Sequence, residues 1–168
     1  MHFKREVANL ISEKATKGFI LDEFFRKLLV KPLIVAYSDT VEKHREMAIE
    51  ITKTTLEAIG LKDEAQLILP AVIGRLNDNN PFPEPTEEVR LQLIDLLDVC
   101  LTSDKYQFMQ KLPEMGHMLS KVLLDPNPDM KKEGAQFAGR FCETLDKAGS
   151  HMKATIISLV HNLQHQHN

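Results

Sequence analysis

The sequence predicts an all-α fold, a right-handed α-solenoid of paired helices about 3.5 repeats long. Three observations predict it. A short phrase recurs about every 40 residues, apolar residues follow helical spacing through most of the 168-residue chain, and aromatic residues make up only 6% with no Trp. Strand-forming residues do not fall in alternating runs, which argues against a sheet.

In each copy of the phrase an apolar run ends in an Asp, and a basic residue then opens a second apolar run. The acidic marks are Asp39, Asp78 and Asp125, and the basic marks are Arg45, Arg90 and Lys132. A period near 40 with two helices per unit is the signature of a HEAT- or armadillo-type solenoid. Such units form surfaces rather than catalytic pockets, so the pattern favours protein binding.

Composition excludes several classes of function. The formal net charge is −3 and no long run of Lys and Arg occurs, which argues against nucleic acid as a partner. No apolar run reaches about 18 residues, so we expect no membrane span. With two cysteines and no signal peptide, we expect a reducing, cytoplasmic location.

The chain opens with a predicted leading helix over residues 2–15, because its apolar residues recur at helical spacing. The first repeat unit spans about residues 19–60. A bend or break is expected where Pro32 interrupts its first helix, since the residue before a proline disfavours α geometry. Gly60 ends its second helix.

The second unit spans about residues 62–102. Its first helix contains Pro70, which should kink it. Residues 77–85 hold three prolines and several turn-forming polar residues, so they cannot be helical. Thr86 opens the second helix, whose first turn carries the carboxylates that favour the positive end of the helix dipole.

The third unit spans about residues 104–147. Asp129 is the predicted cap of its second helix, which should turn Ala135 and Ala138 inward. A further apolar helix then begins a half repeat over residues 149–168. A repeat ending in mid-motif suggests a fragment of a longer solenoid.

Cys100 and Cys142 each fall ten residues after their basic mark, which predicts equivalent positions in neighbouring units. We interpret both as buried thiols that act as small apolar side chains. A disulfide would need Cα atoms within about 7 Å, closer than stacked helices usually bring them.

No phosphate-binding loop, nucleotide-binding glycine pattern or nucleophile elbow occurs. His161 and His165 have the i, i+4 spacing of a helical metal pair, with His167 nearby, but a zinc site needs a third and usually a fourth ligand. We therefore predict no catalytic residue, metal, cofactor or small-molecule substrate. The alternative of an enzyme or metal protein rests on these histidines alone.

The second helices carry an excess of acidic side chains, which could form a stripe for a basic partner segment or simply a solvated face. A second candidate surface is the Pro-rich loop 79–85, which we expect to be long and exposed. The predicted protein-binding residues on the second helices are Glu46, Glu50, Glu88, Gln92, Asp95, Lys132, Gln136 and Arg140.

The acidic and basic marks resemble those of HEAT repeats. The resemblance implies that the turn Asp and the basic residue of the second helix form a ladder between neighbouring units. It also implies that the second helices line the concave face. Other HEAT scaffolds, of the transport-receptor or phosphatase-regulatory-subunit type, remain alternatives.

A narrower resemblance covers roughly residues 84–168. It is carried by the segment Glu84 to Leu93, by the turn Asp125 to Glu133, and by the histidines near the end of the chain. These resemble the N-terminal part of the HEAT-repeat dynein axonemal assembly factors. The resemblance implies a non-catalytic role in cytoplasmic preassembly of ciliary dynein arms, with dynein chains and chaperones as partners.

Overall fold

The computed structural model describes residues 21–77 and 83–146, and in these ranges every regular element is a helix. The leading helix 2–15 and the half repeat 149–168 lie outside the described residues and stay predictions. The described elements are α1 (Leu21–Phe24), a π-helical segment (Phe25–Leu29), α2 (Val30–Ala36), α3 (Glu42–Ile59), α4 (Ala65–Leu76), α5 (Glu87–Ser103), α6 (Lys105–Met109), α7 (Leu112–Val122) and α8 (Pro128–Asp146).

The helices form two layers. The second helices α3, α5 and α8 pack side by side in that order, while α2, α4 and α7 form the other layer. Within each unit the two layers also meet, because α2 packs on α3, α4 on α5 and α7 on α8. This repeated pairing of helices is the α-solenoid arrangement that the sequence pattern predicts.

The first helical segment of the first unit continues through Pro32 without a break. Its helix runs as α1, the π-helical segment and α2 without a break, and Pro32 lies in α2. Proline lacks an N–H and its ring clashes with the carbonyl four residues earlier. The wider π-helical turn lies directly before α2, at the residues where the regular hydrogen-bond ladder would be disturbed.

Helix ends follow local chemistry, with one correction. Gly60 has φ 72° and ends α3, a conformation that favours glycine. Thr86 occupies the N-cap position of α5, as predicted. The cap of α8 is Asn127 rather than Asp129, because the Asn127 Oδ1 accepts the Met130 N–H at 2.9 Å and Pro128 suits the first helical position.

One hydrophobic core runs between the layers through all three units. The largest fully buried side chains include Phe25, Tyr37, Phe108, Phe137 and Phe141. The Tyr37 hydroxyl is satisfied by Thr52 Oγ1 at 2.8 Å, and burial raises the pKa of Tyr37. The core is therefore continuous from the first described unit to the third.

Three acidic residues cap the turns that precede the second helices. Asp39, Glu84 and Asp125 each accept the backbone N–H two residues further on, at 2.8, 3.0 and 2.9 Å. The shared hydrogen bond makes these three residues structurally equivalent. It defines a common repeat numbering for the three units.

Two of the three capping acids are each connected by one arginine to the unit before. Arg45 donates from Nε and Nη2 to the two carboxylate oxygens of Glu84, at 2.9 and 2.8 Å. In the next unit Arg90 meets Asp125, with Nη2–Oδ1 at 3.0 Å and Nε–Oδ2 at 2.9 Å. The Arg45–Glu84 pair is forked and so fixes both distance and orientation, whereas Arg90 donates one hydrogen bond to Asp125. The two ion pairs together connect the second helices of neighbouring units.

This ladder differs from the sequence marks in two places. Asp78 lies outside the described residues, and its expected place beside Arg45 is taken by Glu84. Each ladder arginine follows its capping acid by six residues, and six residues after Asp125 stands Lys131, not Lys132. The physical reason is that the capping hydrogen bond, rather than the end of the apolar run, sets the repeat.

The cysteines also shift under this numbering. Cys100 follows Arg90 by ten residues, and the residue ten after Lys131 is Phe141. Cys100 is fully buried, Cys142 is half-buried, and both thiols are free. The predicted equivalence of the two cysteines is therefore wrong by one position.

Candidate protein-binding surface

The face formed by the three second helices, α3, α5 and α8, is the candidate surface. Because the ladder aligns these helices, residues at the same distance from Arg45, Arg90 and Lys131 lie in rows across the face. The row five residues further on contains Glu50, Asp95 and Gln136. All three belong to the predicted binding set, and all three are exposed.

Lys53 joins two of the predicted residues. Its Nζ lies 3.7 Å from Glu50 Oε2 and 4.0 Å from Asp95 Oδ2. Both carboxylates are 58% exposed, whereas the Lys53 side chain is only 23% exposed. A single ammonium thus serves two carboxylates, which leaves negative charge in excess at this point of the face.

The neighbouring carboxylates also affect the pKa of Asp95. Partial burial raises the pKa of Asp95, Lys53 opposes this, and the carboxylates of Glu133, Asp98 and Glu50 raise it further. The net pKa lies above the ordinary value, chiefly because burial disfavours the ionised form and secondarily because the neighbouring carboxylates repel it. All three second helices therefore contribute carboxylates around Asp95.

The other predicted residues have varied surroundings. Glu46 is paired with Lys43 within α3, and Glu88 is exposed in the first turn of α5. Gln92 is half-buried, with a buried Oε1 that accepts no hydrogen bond from the described part of the chain. Arg140 crosses between units, its Nε donating to Asp98 Oδ1 at 2.7 Å.

Lys132 lies at the start of α8, where its Nζ is 3.6 Å from Glu133 Oε1 and its side chain is 66% exposed. Lys53 and Glu133 also belong to the face, but they were not among the predicted binding residues. Their position on the face becomes visible only when the repeat units are aligned on the ladder positions. In that alignment Glu133 follows Lys131 by two residues, as Gln92 follows Arg90.

The Pro-rich loop 79–85 is not wholly exposed, contrary to the sequence prediction. Glu84 is buried, its backbone N–H donates to Arg75 O at 2.9 Å, and its carboxylate also pairs with Arg75. Thr86 adds a backbone N–H to the same carboxylate and accepts from Arg45. The end of the loop is thus anchored in the ladder, while residues 78–82 lie outside the described residues.

The pKa of Glu84 reflects this anchoring. Burial alone would raise the pKa, but the hydrogen bonds from Arg45, from the Thr86 N–H and from Arg75 outweigh it, so the pKa lies below its ordinary value. A buried carboxylate that accepts several charge-assisted hydrogen bonds stays ionised. Glu84 is therefore a structural anion rather than an acid–base group poised near neutrality.

An open cleft of about 640 Å³ lies near the C-terminal ends of α5 and α8. Its lining mixes acidic, basic and hydroxyl side chains, among them Tyr106, which is 65% exposed. Ser103 Oγ accepts the Leu61 N–H at 2.6 Å and so ties the α3–α4 connection to the C-terminal end of α5. The cleft is a feature of the inter-unit surface, with Arg140 and Asp98 paired in its wall.

Residues 21–77 and 83–146 hold no group of three or more His, Cys, Asp or Glu side chains able to bind a metal ion. No helix within those ranges is long and apolar enough to cross a membrane. His161, His165 and His167 lie outside them.

Stacked helix pairs joined by a charge ladder define a helical-repeat protein. The model of one family, "Dynein axonemal assembly factor 5-like, TPR repeats", matches residues 2–168. The chain belongs to this family, which confirms the resemblance drawn from the sequence. The family description names TPR repeats, whereas the sequence marks resemble HEAT repeats.

Similar proteins carry the same name. The chain is 31% identical over 171 residues to dynein axonemal assembly factor 5 of Xenopus laevis, covering 98% of this chain and 20% of that protein. It is 28% identical over 146 residues to each of the mouse and human proteins of that name, covering 84% of this chain and 17% of each. The chain thus spans about a fifth of these relatives. No solved structure matches significantly.

Proposed function

We propose that the chain is a non-catalytic scaffold that binds protein partners during cytoplasmic preassembly of axonemal dynein arms. Family membership is the observation that carries this proposal, because the relatives are named as dynein axonemal assembly factors. The stacked helix pairs support it, since such repeats bind partners on extended surfaces formed by several units.

The second-helix face is the proposed binding surface. Its centre is the row of Glu50 and Asp95, with Gln136 beside them, and Glu46, Glu88, Gln92, Lys132 and Arg140 surround this centre. The excess of carboxylates around Asp95 favours a partner segment that carries Lys or Arg, because opposite charge steers association and selects partners. Axonemal dynein chains and chaperones are the proposed partners.

Capture from an extract of ciliated cells tests the proposal. The chain, immobilised through a terminal tag, should retain axonemal dynein chains, identified by mass spectrometry. The comparison is with the same chain carrying Glu50→Lys and Asp95→Lys. This variant should retain less of the dynein chains while its circular dichroism spectrum shows unchanged helical content. Recovery of nuclear transport or phosphatase components without dynein chains would contradict the proposed role.

A further inference from the structure

The open cleft near the C-terminal ends of α5 and α8 contains an exposed aromatic ring, and we call it the Tyr106 cleft. Its volume is about 640 Å³, and residues of α5, α6 and α8 line it. Tyr106 is 65% exposed, whereas Tyr37, the other tyrosine of the chain, is buried and bonded to Thr52. An exposed ring adds little to the core, and aromatic side chains in concave places are typical anchors for a partner.

The ring of Tyr106 already has a cation beside it. The Lys105 Nζ lies 5.4 Å from the ring centroid, which is within the range of a cation–π contact. This contact shows that the ring is accessible to a positive charge. A guanidinium group suits such a ring better than an ammonium does, because it is planar, more weakly hydrated and able to stack.

Carboxylates surround the ring. Asp104 Oδ1 accepts the Tyr106 N–H at 3.0 Å, which holds this carboxylate next to the residue that carries the ring. Glu143 lines the same cleft from α8, is exposed, and makes no ion pair with any described residue. The helix α5 ends at the cleft with no basic residue in its last turn, so its own side chains leave the negative end of its dipole unbalanced. The charges of the cleft therefore favour a cationic ligand.

The two walls of the cleft belong to different units. Arg140 on α8 donates from Nε to Asp98 Oδ1 on α5 at 2.7 Å, so an ion pair connects the walls. Arg140 and Glu143 lie on the exposed side of α8, and Ala135 is exposed on the same helix. The sequence prediction that Ala135 turns inward is accordingly wrong.

We propose that the Tyr106 cleft binds an arginine side chain from an extended segment of a protein partner. The guanidinium takes the place of the Lys105 ammonium on the Tyr106 ring and pairs with Asp104 and Glu143. The inference rests on the proposed function only in taking the ligand from a protein partner. It adds to the second-helix face a separate contact that selects arginine over lysine.

Fluorine NMR of the whole chain tests the proposal, because the chain contains only two tyrosines. The protein is made with 3-fluorotyrosine, and Tyr106→Phe assigns the two resonances. The probe is acetyl-Gly-Arg-Gly-amide, which should shift the Tyr106 resonance saturably and leave the Tyr37 resonance in place. Acetyl-Gly-Lys-Gly-amide should bind about threefold or more weakly, because an ammonium stacks less well on the ring.

Three substitutions identify the groups that bind the peptide. Asp104→Asn keeps a side chain that can cap α6, and it should weaken binding of the arginine peptide about threefold, as should Glu143→Gln. Lys105→Gln removes the competing cation and should strengthen binding by a similar factor. The matched control is Lys27→Gln, which removes a lysine that is 69% exposed in the first unit and should leave the affinity unchanged.

The proposal would be overturned by a Tyr106 resonance that does not respond, by equal binding of the arginine and lysine peptides, or by equal effects of K105Q and K27Q. Each variant is compared with the wild-type chain at equal helical content by circular dichroism. Because the peptide is titrated into the isolated chain, a failure here removes the arginine site and leaves the capture of dynein chains as a separate test of the proposed function.

Discussion

At the scale of single residues, Glu84 makes structural contacts that no sequence motif indicates. One buried carboxylate caps α5, receives Arg45 from the first unit and receives Arg75 from the helix before it. Removing one partner of a buried charged group leaves the others uncompensated, which is more damaging than losing an exposed pair. Glu84 therefore joins the capping of one helix to the stacking of two units.

Glu84→Gln should lower the free energy of unfolding by about 3 kcal/mol, because it leaves two buried guanidinium groups facing a neutral side chain. Urea unfolding followed by circular dichroism measures the change. The matched control is Glu88→Gln in the same helix, an exposed site where we expect a change within about 0.5 kcal/mol. Equal effects of the two substitutions would contradict the ladder assignment.

The same carboxylate predicts an acid dependence. The pKa of Glu84 is lower in the folded chain than its ordinary value, so its contribution is present above about pH 4.3 and is lost as pH falls further. The wild-type chain should therefore lose stability between pH 5 and pH 3, and E84Q should lose less over this range. The free energy of unfolding of both proteins is measured by urea titration at pH 5 and at pH 3. An equal loss in the two proteins between these pH values would exclude Glu84 as the source.

Sequence reasoning reached the spacing of the ladder but not all of its members. Arg45 and Arg90 stand where a repeat pattern predicts them, because a basic residue near a helix start is visible as a local mark. Glu84 was hidden inside a Pro-rich stretch that composition alone marks as exposed. Only the capping hydrogen bond to the Thr86 N–H, which is a three-dimensional fact, reveals its equivalence to Asp39 and Asp125.

At the scale of helices, two glycines of α8 have opposite environments. A Cβ built on Gly134 would lie 2.2 Å from Val122 Cγ1, so this glycine allows α7 and α8 to approach closely. A Cβ on Gly139 would meet no atom of the described residues within 4 Å. The helix pattern of the sequence treats both glycines alike, since each weakens helix propensity by about 1 kcal/mol relative to Ala.

Gly139→Ala should therefore stabilise the chain by about 0.5–1 kcal/mol through helix propensity. Gly134→Ala should destabilise it by about 1–3 kcal/mol through overpacking against the stiff, buried Val122 side chain. Thermal unfolding of the two variants measures the pair. The double variant Val122→Ala with Gly134→Ala should recover part of the loss, and a stabilised G134A would contradict the close approach.

At the scale of the whole molecule, the ladder makes one surface out of three second helices. Apolar periodicity was enough to predict helix pairs and their stacking, because burial of an apolar stripe needs a neighbour. It was not enough to rank the polar residues of the face. Exposed Glu50 and Asp95 look like ordinary solvated side chains until stacking brings them to a shared Lys53.

The most direct measurement of the central claim compares partner capture by two charge-reversed chains at equal helical content. Asp95→Lys together with Glu50→Lys alters the second-helix face, whereas Glu114→Lys alters an exposed acid on α7 in the other layer. The account predicts that the double variant loses most of its captured dynein chains and that Glu114→Lys retains them. Undiminished capture by the folded double variant, or equal loss from both proteins, would contradict it.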